Sequence, residues 1–111
     1  MIDSHCHLYF DSLKDNFERI IDESIKNNIT SILSINTDPN EFELHYQLIN
    51  KYKSIYISYG LHPDNVNQKN IPSLESLKFF CNYDKVIGIG ETGLDFYHSI
   101  DNKKFQKLSF E

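Results

Sequence analysis

Four short apolar runs recur along the 111-residue chain, beginning near residues 2, 30, 55 and 86, with segments of helical periodicity between them. Their spacing of roughly 25 to 31 residues is the length of one strand-plus-helix unit. A chain that alternates strand and helix in this way closes its hydrogen bonds in a parallel sheet with helices laid on it. A closed eight-unit barrel takes about 250 residues. Residues 1–111 therefore predict one partial α/β domain of about four units, a little under half of such a barrel.

The first run, Ile2 to His7, leads into a polar loop at Asp11 and Ser12. Phe17, Ile20, Ile21 and Ile25 then recur at helical spacing opposite a charged face, and Asn27 and Asn28 suit the helix end because Asn tolerates the left-handed conformation. Ile29 to Asn36 reads as the second strand. Asp38 and Pro39 open a second helix carrying Phe42, Leu44, Tyr46, Leu48, Ile49 and Tyr52, with Asp38 as cap and Pro39 at the first helical position. Ser54 to Gly60 reads as the third strand and ends in the loop Gly60 to Pro63. A third helix is expected from Ser73 to Tyr83, a fourth strand from Val86, and a helical tail from about Asn102.

The chemistry collects at strand ends. His5 and His7 lie two residues apart, so on a strand they project from one face, a chelating arrangement; on a helix they would diverge. In the fourth strand the same alternation puts Ile87, Ile89 and Glu91 on one face and Gly88 and Gly90 on the other. A carboxylate continuing an apolar face is costly unless it is paired or bound to metal, and the C-terminal end of a parallel strand is where barrel active sites are built. Gly88 and Gly90 read as small residues that let a helix pack closely outside the sheet. Pro63 holds His62 extended at the strand end.

Three ordered motifs carry a resemblance: D-x-H-x-H at Asp3 to His7, G-x-H-P at Gly60 to Pro63, and G-E-x-G-L-D-F at Gly90 to Phe96. Together they resemble the TatD family of metal-dependent deoxyribonucleases, and Gln106 to Phe110 is similar to that family's Q-x-x-x-F helix. The resemblance implies a TIM-type barrel, of which this chain supplies about the first four β/α units. It implies DNA as substrate and phosphodiester hydrolysis at a site of two divalent ions, with Mg, Mn and Zn all compatible with the donors. His5 and His7 would hold one ion, Glu91 would bridge it to the second, and His62 would contact substrate phosphate at the pocket mouth. Asp3 would orient a histidine from behind. The family's remaining ligands, two histidines and an aspartate, lie on later strands, so a second chain completing the barrel is one expectation. A non-catalytic remnant and a related hydrolase of another ester or amide are the alternatives.

Each site residue also has a plainer reading. His5 and His7 become polar residues at a strand end, Glu91 a structural ion pair, and His62 a turn-capping histidine. Asp95 divides between supporting Glu91 and capping its loop, and capping is the stronger reading because Asp is favoured in turns. His45 and His98 have no evident partner in the sequence. Cys6 points away from its histidine neighbours, towards packing against a helix, and no disulfide with Cys81 is expected. The Tyr and Phe residues fall at core periodicities. A formal net charge of −5 excludes a broad electrostatic grip on phosphates. No apolar run approaches a bilayer span and no signal peptide opens the chain, so the expected location is the cytoplasm.

Overall fold

The computed structural model describes residues 1–98 and 100–111. Its sheet has four strands, β1 Ile2–Cys6, β2 Ser31–Ser34, β3 Ile55–Tyr59 and β4 Val86–Ile89, in the order β1-β2-β3-β4 with every neighbouring pair parallel. Sequence order and spatial order coincide, as the repeated strand-plus-helix units require. The helices are α1 Asp11–Lys14, α2 Phe17–Lys26, α3 Phe42–Ile49, α4 Leu74–Phe80 and α5 Lys103–Phe110. The expected polar loop at Asp11 and Ser12 is the single-turn helix α1, with Lys14 Nζ paired to Asp11 Oδ1 at 2.8 Å.

Local chemistry sets the boundaries. Asn28, just past α2, takes φ 62°, the left-handed conformation that Asn accepts at a helix end. Asp38 Oδ1 accepts the Asn40 N–H at 2.9 Å, and Pro39 opens a 3-10 turn ahead of α3. Ser73 caps α4 through the Ser76 N–H. The second strand is shorter than its apolar run: Ile35 N–H still bonds Cys6 O, but the Asn36 N–H goes to Ser58 Oγ and its side-chain amide to Asp38 O, so the ladder stops there.

The core lies between one sheet face and the helices. Ile32, Ile55, Ile57 and Tyr59 from the strands meet Phe17 and Ile21 of α2, Phe42 and Ile49 of α3, and the partly buried Leu77 and Phe80 of α4. Phe42 is fully buried within an aromatic cluster, with the rings of Phe80, Tyr59, Tyr83 and Tyr46 at centroid distances of 5.0, 5.1, 5.5 and 5.8 Å. Such pairs add about 0.5–1.5 kcal/mol each beyond area burial. Ile25, expected with this core, is exposed. So are Phe10, Phe79, Tyr97 and Phe110, which corrects the reading of the aromatics as uniformly core.

The opposite sheet face is open along its outer strands, β1 and β4, while Ser58 on β3 is buried. Ile87 and Ile89 are 59% and 63% exposed and Ile2 is 66% exposed, so the apolar face of β4 is uncovered here. The close approach expected of Gly88 and Gly90 lies elsewhere: a Cβ built on Gly88 would meet nothing within 4 Å. A Cβ on Gly60 would stand 2.4 Å from the carbonyl carbon of Gly90. It is Gly60, at the end of β3, that admits the chain leaving β4.

Candidate metal centre

The parallel sheet puts the C-terminal ends of β1, β3 and β4 on one side, and the chain just past each end supplies a site residue. Between Asp3 and Cys6 the β1–β2 register shifts by a residue, an irregularity of the kind that re-aims side chains at strand rims. His5 and His7 converge beside it, with 3.2 Å between their Nε2 atoms. Glu91 arrives from beyond β4, held by its backbone: Gly90 N–H donates to Tyr59 O and Glu91 N–H to Asn36 O, each at 2.9 Å. Its Oε2 lies 3.6 Å from His5 Nε2 and 3.8 Å from His7 Nε2.

These three donor atoms all lie within 4.8 Å of one another. Ligands about 2.0–2.1 Å from a common ion stand roughly 3.0–3.5 Å apart, so separations of 3.2, 3.6 and 3.8 Å are close to those of a chelating set. Two imidazoles and a carboxylate suit Zn or Mn and admit other divalent ions. The donors therefore fit a divalent cation.

His62 enters from the loop after β3. Its Nδ1 accepts the Asp64 N–H at 3.2 Å, which leaves the neutral ring's proton on Nε2, 3.6 Å from Glu91 Oε1. His62 thus caps its turn and faces the carboxylate at once. With His7 and Glu91 it lines an open cleft of about 410 Å³, whose other walls are Phe10, Thr37, Asp64 and Asn65. Those four carry no motif. The one sequence signal for them is position, since each lies within a few residues of a strand's C-terminal end.

Asp3 and Asp95 serve backbone rather than the rings of the His5/His7 pair. Asp3 Oδ1 accepts the His5 N–H at 3.1 Å, and no contact to an imidazole accompanies it among the described residues. Asp95 Oδ1 accepts from Tyr97 N–H and His98 N–H, and its Oδ2 pairs with His98 Nδ1 at 2.7 Å. That pairing holds the Asp95 carboxyl at about 2 and raises the His98 imidazole. Gln106 braces the same loop, its Oε1 taking the Asp95 N–H and its Nε2 donating to Asp95 O. Asp64 brings a third donor atom to within 4.8 Å of this pair.

Behind the centre His45 is buried, its Nε2 2.7 Å from Ser34 Oγ, which also accepts the Leu8 N–H. Burial, with the electrostatic influence of His7 behind it, pushes the His45 imidazole down to about 4. His45 is therefore neutral and ties α3 to the segment that follows His7. Among the described residues, two buried side-chain atoms lack a hydrogen-bond partner, His7 Nδ1 and Asn36 Oδ1. Cys6 and Cys81 are free thiols, and burial, with Asp3 second, raises the Cys6 thiol to about 11. A thiol held there is no ready ligand.

Residues 2–111 match the sequence model described as TatD related DNase. The chain is 34% identical over 113 residues to an uncharacterized metal-dependent hydrolase of Buchnera aphidicola subsp. Baizongia pistaciae, covering 99% of this chain and 42% of that protein. It is 27% identical over 105 residues to the deoxyribonuclease TATDN3 of Homo sapiens, covering 86% of this chain and 38% of that protein. The crystal structure of YJJV, a TatD homolog from Escherichia coli K12, matches with a TM-score of 0.79 at 24% identity, over 99% of this chain and 42% of that one. At that identity the likeness speaks for the fold. The chain spans about two fifths of the length of these relatives. With the family pattern running through all four strands and the loops that follow them, the chain belongs to the TatD-related DNase family and carries the N-terminal four β/α units of its barrel.

Proposed function

We propose that this chain contributes the first half of a metal-dependent deoxyribonuclease site, in which His5, His7 and Glu91 hold a divalent ion and His62 engages the phosphate being cleaved. The observation that carries the reading is the convergence of the two Nε2 atoms on Glu91 Oε2 while Glu91 Oε1 faces His62. Bound ions at such a centre lower the pKa of water and offset charge on the attacking and leaving oxygens. Glu91 has one oxygen towards the histidine pair and one towards the cleft, the arrangement a bridging carboxylate needs for a two-ion site. The tautomer of His62 presents an N–H to a phosphate oxygen in the cleft. Asp64 N–H fixes that ring from behind.

Ligands for a second ion would come from strands beyond β4, in the same polypeptide or in a second chain that completes the barrel across the bare face of Ile87 and Ile89. The proposed setting is the cytoplasm. Among the described residues, no helix is long and apolar enough to cross a membrane.

The test is hydrolysis of single-stranded DNA with Mg or Mn and with chelator, beside the Glu91→Gln variant. Calorimetric titration of Mn into both proteins supplies a second readout. Metal-dependent cleavage and ion binding, both lost in the variant, support the reading. Ion binding that Glu91→Gln leaves unchanged would sink it.

A further inference from the structure

Phe10 and Tyr9 leave the end of β1 in opposite directions. Tyr9 turns inward and stacks on buried His45 at 5.0 Å. Phe10 turns outward: its N–H donates to His7 O at 3.1 Å, closing a tight turn that swings the ring back over the metal-ligating imidazole. The two rings lie 4.5 Å apart at 11°, close to parallel. One face of Phe10 is therefore backed by His7, and the side chain is still 50% exposed, on the wall of the cleft that holds His62 and Glu91.

The charge of that cleft narrows what a nucleic acid can use there. Its described lining includes Asp64 and Glu91 but no Lys or Arg, and the whole chain carries a net charge of −5. Counterion release by basic side chains, the usual source of affinity for a phosphate backbone, is therefore weak at this cleft. Affinity has to come from the ion and from uncharged contacts. An aromatic face is the uncharged contact that every nucleobase accepts, because each base has a π-face of its own.

We propose that Phe10 is a stacking platform for the nucleobase next to the scissile phosphate. Resting on the DNA reading above, the inference adds where the substrate is gripped and why the grip is indifferent to sequence. The base lies on the free face of Phe10, His7 backs the other face, and the attached phosphate is directed to His62 and Glu91. The strand must be single, since a base paired and stacked within a duplex has no free face to offer.

The test compares two probes in the presence of Mn: a phosphorothioate-linked tetramer of deoxyadenosine, and a fully abasic tetramer with the same linkages and charge. The wild-type chain is expected to bind the base-bearing tetramer about 5- to 150-fold more tightly, the range of one base–aromatic stack. Phe10→Ala should bring that ratio close to one, and Phe10→Tyr should keep it. Because no counterions are released by stacking, the ratio should hold between about 50 and 200 mM salt. Equal binding of the two tetramers by the wild type, or a preference that survives Phe10→Ala, overturns the stacking role and leaves the DNA reading standing. Binding of neither tetramer removes the DNA reading and this inference with it.

Discussion

His62 accepts the Asp64 N–H at Nδ1 and turns Nε2 to within 3.6 Å of Glu91 Oε1, so one imidazole joins the turn after β3 to the carboxylate after β4. The same turn chemistry occurs at Asp38, whose Oδ1 accepts the Asn40 N–H across Pro39. His62→Asn should therefore keep the cap, because an Asn oxygen serves there as the Asp oxygen does at 38, while losing the reach to Glu91. Thermal unfolding should be nearly unchanged. Cleavage, if His62 serves the phosphate, should fall by about 10²- to 10³-fold, the cost of one lost donor to a developing oxyanion. A variant that unfolds early but cleaves at the wild-type rate would reduce His62 to a cap.

Glu91 is the member of the donor set that both histidines face. Glu91→Gln retains shape and hydrogen-bonding capacity but removes the charge that an ion pairs with. Mn affinity should drop by at least about 10- to 100-fold, a range reached by disturbing even the groups around a metal ligand. Far-UV circular dichroism should be unchanged, since Glu91 is fixed by its backbone N–H to Asn36 O rather than by its side chain.

The sequence was most legible where a period decided the outcome. A period of two made the His5/His7 pair visible; it did not carry Glu91, which the sequence put in line with Ile87 and Ile89 but which lies in the bend past β4, a strand that ends at Ile89. The strand-plus-helix spacing made the parallel sheet visible, and Asp38 and Asn28 announced helix ends, the first as a side-chain cap and the second by its tolerance of the left-handed conformation. What stayed hidden depended on residues far apart in the chain. Gly88 and Gly90 looked like the close approach, yet the constraint falls on Gly60, 30 positions from the backbone it meets. His45 had no visible partner because Ser34 reaches it only once α3 lies on β2. Phe10 shared the composition of the core aromatics, and only its turn onto His7 separates it from them.

Gly60 makes a prediction that a reading of β4 alone misses. A methyl group at 60 would stand 2.4 Å from Gly90 C and 2.6 Å from Gly90 O, so the backbone on one side must move. Gly60→Ala should cost about 1–3 kcal/mol, the usual range for overpacking, measured as a shift in the urea midpoint. The displacement falls on the residue before Glu91, so Mn affinity should weaken in the same variant. Gly88→Ala, where the new Cβ meets nothing within 4 Å, is the control and should leave the Mn titration unaltered.

His45 makes folding stability depend on pH through a single buried group. Its imidazole titrates at about 4 in the folded chain against 6.5 ordinarily, because burial penalises the charged ring. Between those values the unfolded chain binds the proton and the folded chain does not, so stability is intact above pH 6.5 and is lost as the pH falls towards 4. The full loss from this group is on the order of 3 kcal/mol. His45→Leu removes the titrating group, and Ser34 Oγ keeps the Leu8 N–H as a partner. Urea unfolding of both proteins at pH 7 and pH 4.5 separates this group from the carboxylates, which titrate alike in the two. The wild type should lose more stability than the variant on acidification, and equal losses would mean that His45 is solvated in the folded chain.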